Sequence, residues 1–177
     1  MNYEEARRIM KDGDVLQYQG TGFQSETIKL VTGSEYSHTA VVIWWGNRLM
    51  VGEATSRGVF PVFLSENIKH YHGSVYLLQA KDLTDMQRAE IVDSAKMQFG
   101  KEYSTWKLVK FAHHLLWRTR SKNDKYKAEV DLFCSEFVSS IYNKAGADPA
   151  KDLADSYTAP EDFNISPIFN HLGVIEV

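Results

Sequence analysis

One cysteine, Cys134, stands in the 177-residue chain, so any thiol chemistry belongs to that residue and no disulfide forms within the chain. The stretch Phe133-Cys134-Ser135-Glu136-Phe137-Val138 reads as the opening of a helix from about Asp131 to Lys144, with Asp131 as its N-cap. A sulfur in the first turn of a helix meets unpaired amides and the positive end of the macrodipole. Both favour the thiolate, the form that attacks carbonyl carbon. Phe137, Val138 and Ile141 follow three, four and seven residues on, so the same position also suits a small core residue. A nucleophile needs a base, and the histidines are the place to look.

His38 opens a run, Ser37 to Trp45, rich in β-branched and aromatic residues, followed by Gly46-Asn47 and then Arg48 to Ala54. This pattern predicts a hairpin with a two-residue loop. Such a loop pairs Trp45 with Arg48, Ala40 with Glu53 and His38 with Thr55, which makes His38 and Glu53 diagonal neighbours on one face. Diagonal neighbours lie roughly 7 to 8 Å apart at the backbone, within reach of a carboxylate-imidazole hydrogen bond. A strand-end histidine bonded to a loop is the plainer reading of His38. Glu53 is harder to assign that way, because it sits among Val51, Gly52 and Ala54, where an unpartnered carboxylate is costly. Cys134, His38 and Glu53 together have the types of a nucleophile, a base and the acid that orients it.

The other histidines have weaker claims. His70 and His72 share a face if extended, and His113 and His114 are adjacent in a helical stretch, but neither pair has metal-ligand spacing. A solvated role suits them better. His171, placed in a loop near the C-terminus, is a reserve base. The Trp44-Trp45 pair and Phe111, Leu115 and Leu116 read as core, and Lys122, Lys125 and Lys127 as a solvated loop.

The elements that must position these residues follow from periodicity and punctuation. A short polar helix over residues 3 to 11 precedes a strand at Val15 to Gln19, and a second short helix around Ser25 stops at Gly33. After the hairpin come strands at Val59 to Phe63 and Val75 to Leu78, separated by a helical or turn segment from Ser65 to Tyr71. Thr84 starts a long helical pattern closed by Gly100, and a further helix is predicted from about Thr105 to Trp117. Arg118 to Lys127 is charged and almost free of apolar residues, hence an exposed loop. A loop with Pro160 and Pro167 leads to a closing strand at Gly173 to Val177.

Composition narrows the class. Hydrophobic residues are 44% and charged residues 24%, which describes one globular domain, 1–177, that buries its own core. A net charge of −3 argues against phosphate neutralisation, so no nucleic-acid partner is expected. Neither Thr39 to Trp45 nor Leu108 to Trp117 is long and apolar enough to span a bilayer, and the N-terminus carries no signal-peptide pattern. With one cysteine, a cytoplasmic location is the expectation.

The ordered set Gly13-Asp14-Val15-Leu16, Tyr36-Ser37-His38-Thr39-Ala40-Val41-Val42, Gly52-Glu53-Ala54, Gly100-Lys101-Glu102-Tyr103 and Phe133-Cys134-Ser135-Glu136-Phe137-Val138 resembles the circularly permuted NlpC-type papain-like cysteine hydrolases, which include YiiX-like and YebB-like proteins. In that permuted group the histidine strand precedes the cysteine helix, as here. The resemblance implies an α+β papain-like fold, an antiparallel sheet packed against the cysteine-bearing helix. It implies Cys134 as nucleophile, His38 as general base and Glu53 as the residue orienting it. Tyr103 would line the cleft, although Glu102 stands where relatives usually carry a proline. The backbone amide of Cys134 would be one oxyanion donor. The implied reaction is cleavage of an amide in a cell-wall-type peptide, or of an acyl-lipid bond, through an acyl-enzyme, with no cofactor or metal. The alternatives are an acyltransferase, a ligand-binding protein on the same fold, and a metal hydrolase using histidine ligands. The oligomeric state is not legible in the sequence.

Overall fold

The run Ala40 to Ile43 lacks polar alternation, which in a strand means cover on both faces, and all four residues are fully buried. The computed structural model describes residues 1–55, 57–101, 132–151, 153–155 and 158–176. Six strands, β1 (Val15–Gly20), β2 (His38–Trp45), β3 (Arg48–Thr55), β4 (Gly58–Phe63), β5 (Gly73–Ala80) and β6 (Phe169–Ile175), form one antiparallel sheet in the order β4-β3-β2-β1-β5-β6. The helices are α1 (Tyr3–Ile9), α2 (Phe23–Thr32), α3 (Leu64–Lys69), α4 (Asp85–Lys96), α5 (Leu132–Lys144) and α6 (Pro160–Ile165).

Strand alternation divides the core into two layers. Val15, Val41, Ile43 and Leu78 face Ile91, Val92 and Ala95 of α4, Phe137, Val138, Ile141 and Tyr142 of α5, and Phe163 of α6. Leu16, Ala40, Val42, Val51 and Leu77 face Ala6 and Met10 on one side and Leu64 and Ile68 of α3 on the other. Each fully buried aliphatic or aromatic side chain stabilises by about 1.5–3 kcal/mol, so the apolar stripe of α5 alone holds that helix firmly across β2 and β3. Tyr142 adds a hydrogen bond from its hydroxyl to the Gly13 carbonyl at the entry to β1. Nearby, the fully buried Asp14 accepts from the Lys11 and Ala80 amides and pairs with Arg88 at 3.3 Å.

The hairpin has the register its loop length predicts: Trp45 faces Arg48 and Val41 faces Gly52. Three expectations change. The proline-containing loop begins with a helix, α6, because Pro160 occupies a first-turn position where a missing N–H costs nothing, and Asp162 caps the Ala159 amide at 2.7 Å. The closing strand starts at Phe169 rather than Gly173. Gly173, at φ +95°, lies beside a register shift opposite Leu77 and Leu78, so it marks a bulge inside β6. His171 is therefore on a strand and not in a loop, with its Nε2 2.7 Å from the Asn164 carbonyl. The Asp131 cap, the helix expected from Thr105, the loop from Arg118 to Lys127, His113, His114 and Tyr103 lie outside the described residues.

Candidate active site

His38 is the first residue of β2 and projects from the α3 face of the sheet, the face that Tyr18 and Glu53 share. Its Nε2 lies 3.1 Å from Glu53 Oε2, with side-chain exposures of 21% for His38 and 16% for Glu53. A contact so sheltered from water is worth more than a surface ion pair. Cys134, in the first turn of α5 and 6% exposed, hydrogen-bonds His38 at this end of the sheet, and its sulfur is 3.9 Å from Ser135 Oγ. Glu53 engages the Nε2 of His38, which leaves Nδ1 as the ring nitrogen not used in that contact.

The electrostatics follow from that arrangement. Burial disfavours the charged imidazole, but the negative charge and hydrogen bond of Cys134, and then those of Glu53, outweigh it and raise the His38 pKa to about 10. Burial pushes the Glu53 carboxyl up, and the hydrogen bond and charge of His38, the Asn67 amide and the Arg57 charge bring it below its ordinary value. The site thus favours a protonated His38 imidazole beside an ionised Glu53 carboxylate.

The surrounding shell contains residues that the sequence reading did not select. Asn67 Nδ2 donates to Glu53 Oε2 at 3.3 Å, and the Tyr18 hydroxyl donates to Asn67 Oδ1 at 2.8 Å. Tyr71, in the turn after α3, sets its ring edge-on to Tyr18 with centroids 4.9 Å apart, and its hydroxyl is 3.5 Å from Ser37 Oγ. Burial raises the Tyr71 pKa, hydrogen bonds with Ser37 and Ser25 pull it down, and the charges of Cys134 and Glu53 push it up, so the phenol stays protonated. Gly20 makes room for this group: a Cβ there would lie 2.7 Å from the Tyr71 hydroxyl and would collide with Ser25 Oγ. Of the remaining histidines, His70 ends α3 and faces Glu66 at 3.3 Å on the surface, and His171 is held on β6. Among the described residues no three His, Cys, Asp or Glu side chains converge as metal ligands would, and no helix is long and apolar enough to cross a membrane.

A cysteine, an imidazole and a carboxylate brought to one end of a sheet are the side-chain types that nucleophilic acyl transfer uses. Three comparisons place the chain among known proteins. The family described as "permuted papain-like amidase enzyme, YaeF/YiiX, C92 family" matches residues 9–162. The chain is 28% identical over 159 residues to the probable lipoprotein peptidase YaeF of Escherichia coli K12, covering 77% of this chain and 57% of that protein. It therefore spans little more than half the length of that relative. The crystal structure of metalloprotein YiiX from Escherichia coli O157:H7 shares the fold, with a TM-score of 0.65 at 22% identity over 92% of this chain and 96% of that one.

Proposed function

The chain belongs to the permuted papain-like amidase family, and from that premise we propose that it hydrolyses peptide amide bonds through Cys134, His38 and Glu53, with residues 1–177 acting as one hydrolase domain. The observation that carries this reading is the sheltered contact between His38 and Glu53 at the residue that also hydrogen-bonds Cys134.

In the proposed reaction the Cys134 thiolate attacks the amide carbonyl, forming the S–C bond and placing a negative charge on the carbonyl oxygen. The first four N–H groups of a helix have no carbonyl partner within it, and Cys134 lies among them, so its amide is the oxyanion donor assigned here. His38 then gives the Nδ1 proton to the leaving nitrogen, the C–N bond breaks, and a thioester remains on Cys134. A water molecule, deprotonated by neutral His38, attacks the thioester, and the carboxylic acid leaves as the thiolate-imidazolium pair re-forms. Glu53 keeps the ring oriented through both proton transfers. A reducing compartment, which protects a lone thiolate from oxidation, suits this chemistry.

The relative is named a probable lipoprotein peptidase, so the test uses a plain peptide amide, the same peptide N-acylated with a fatty acid, and a fatty-acyl ester. Amide hydrolysis by the wild type that is lost in Cys134→Ala is the expected result. Release of fatty acid with the peptide amide left intact would replace the amidase reading with an acyl-lipid one. Activity undiminished in Cys134→Ala would refute the proposed nucleophile.

A further inference from the structure

Asn67 is a polar residue on an otherwise apolar helix face. Leu64 and Ile68, three residues before it and one after, are 0% and 5% exposed and pack α3 onto the sheet, which brings the Asn67 side chain to Glu53. An amide has a donor end and an acceptor end, and its acceptor end is committed. Tyr18, 1% exposed, donates to Asn67 Oδ1 at 2.8 Å, and burial keeps its phenol protonated. The Nδ2 end is thereby directed to Glu53 Oε2, the same oxygen that meets His38 Nε2. The circuit closes on itself, because the Tyr18 ring also packs against the His38 imidazole, with centroids 5.2 Å apart and planes at 55°.

We infer that Asn67 is a positioning residue: with its amide fixed by Tyr18, it holds Glu53 as an oriented anion and so keeps His38 set as the partner of the Cys134 thiolate. Among the described residues, the titratable and charged groups facing the His38-Glu53 pair are Tyr18 from β1, Arg57 from the β3–β4 turn, Tyr71 after α3 and Cys134 from α5. Of these only Tyr18 bonds Asn67. The inference rests on the proposed thiolate-imidazolium pair, and the test separates the two.

The experiment is the rate of iodoacetamide alkylation of the lone cysteine from about pH 4 to about pH 10, in wild type, Asn67→Ala, Tyr18→Phe, the double variant and His38→Ala, with circular dichroism to confirm folding. Removing one charge-assisted hydrogen bond from Glu53 weakens the imidazolium, so in Asn67→Ala the acid limb should move up by about half to one pH unit. That is a roughly 3- to 10-fold slower reaction on that limb, with no change where the thiolate is fully formed. Tyr18→Phe, which keeps the ring and loses only the hydroxyl, should move the limb the same way by less. The double variant should match Asn67→Ala alone, since the hydroxyl acts only through the amide. Folded variants with unmoved limbs, or two shifts that simply add, would overturn the inference. If Asn67→Ala does not fold, Tyr18→Phe decides the matter by itself. A limb moved in His38→Ala but in none of the other three variants sinks the inference alone; one unmoved in His38→Ala sinks the thiolate-imidazolium pair and the inference with it.

Discussion

Replacing Cys134 by alanine should make His38 lose its proton about three pH units sooner. Burial alone would hold the imidazole neutral, and the sulfur's charge and hydrogen bond are the strongest opposing influences, ahead of Glu53. Two unit charges about 4 Å apart at an effective dielectric constant of about 20 interact by about 4 kcal/mol, equivalent to roughly three pH units. The sign is fixed by charge: removing an anion destabilises the imidazolium, so the pKa falls. From about 10 in the wild type, the His38 pKa should therefore fall clearly in Cys134→Ala, where Glu53 still offsets burial. Two-dimensional NMR titration of the imidazole signals measures this directly. The six histidines give few enough resonances to follow, and His38 is identified by the signal missing in His38→Ala. A His38 that titrates at the same pH with and without Cys134, or already near 6.5 in the wild type, would mean that no sulfur charge holds the proton.

Glu53 has a lowered pKa, so its ionisation stabilises the fold above its ordinary value of 4.5, and that contribution disappears as pH falls through its lower folded value. Glu53→Gln should therefore melt below the wild type near neutral pH and approach it in strong acid, as thermal scans at the two extremes would register. Arg88→Met leaves the fully buried Asp14 without its cation and should cost about 3–5 kcal/mol in urea unfolding, with little effect on Cys134 alkylation. Gly52→Ala places a Cβ 3.2 Å from Ile43 Cδ1 and 3.3 Å from Phe99 Cε1, so overpacking should lower stability by about 1–3 kcal/mol, seen as an earlier urea midpoint.

The parts of the site carried by local rules were readable in the sequence. A two-residue loop at Gly46-Asn47 leaves the hairpin one register, and that register brings His38 to Glu53 before any tertiary information is used. The α5 pattern is similarly local, since Phe137, Val138 and Ile141 share a stripe with Cys134. Asn67, Tyr18 and Tyr71 were not readable, because each reaches the site through packing between elements distant in sequence. Tyr18 lies in a strand of buried residues and looks like core until α3 closes over it; Asn67 looks like an ordinary polar residue in a short helix. A polar residue flanked by Leu64 and Ile68 at helical spacing was the available signal. The cover on both faces of the sheet was implied by the unbroken apolar run in β2, whereas α6 was hidden because prolines serve equally in loops and at helix starts. The bulge at Gly173 escaped for a similar reason: a glycine in a strand pattern marks either an end or an irregularity.

In the proposed reaction Cys134 carries the acyl group during turnover. Intact-mass spectrometry of acid-quenched reactions with a reactive acyl substrate tests it most directly, since the lone cysteine leaves no ambiguity about the thiol involved. One acyl adduct is expected on the wild-type chain, located at Cys134, formed more slowly in His38→Ala and absent in Cys134→Ala. Turnover without any adduct at Cys134, at an undiminished rate in Cys134→Ala, would contradict it.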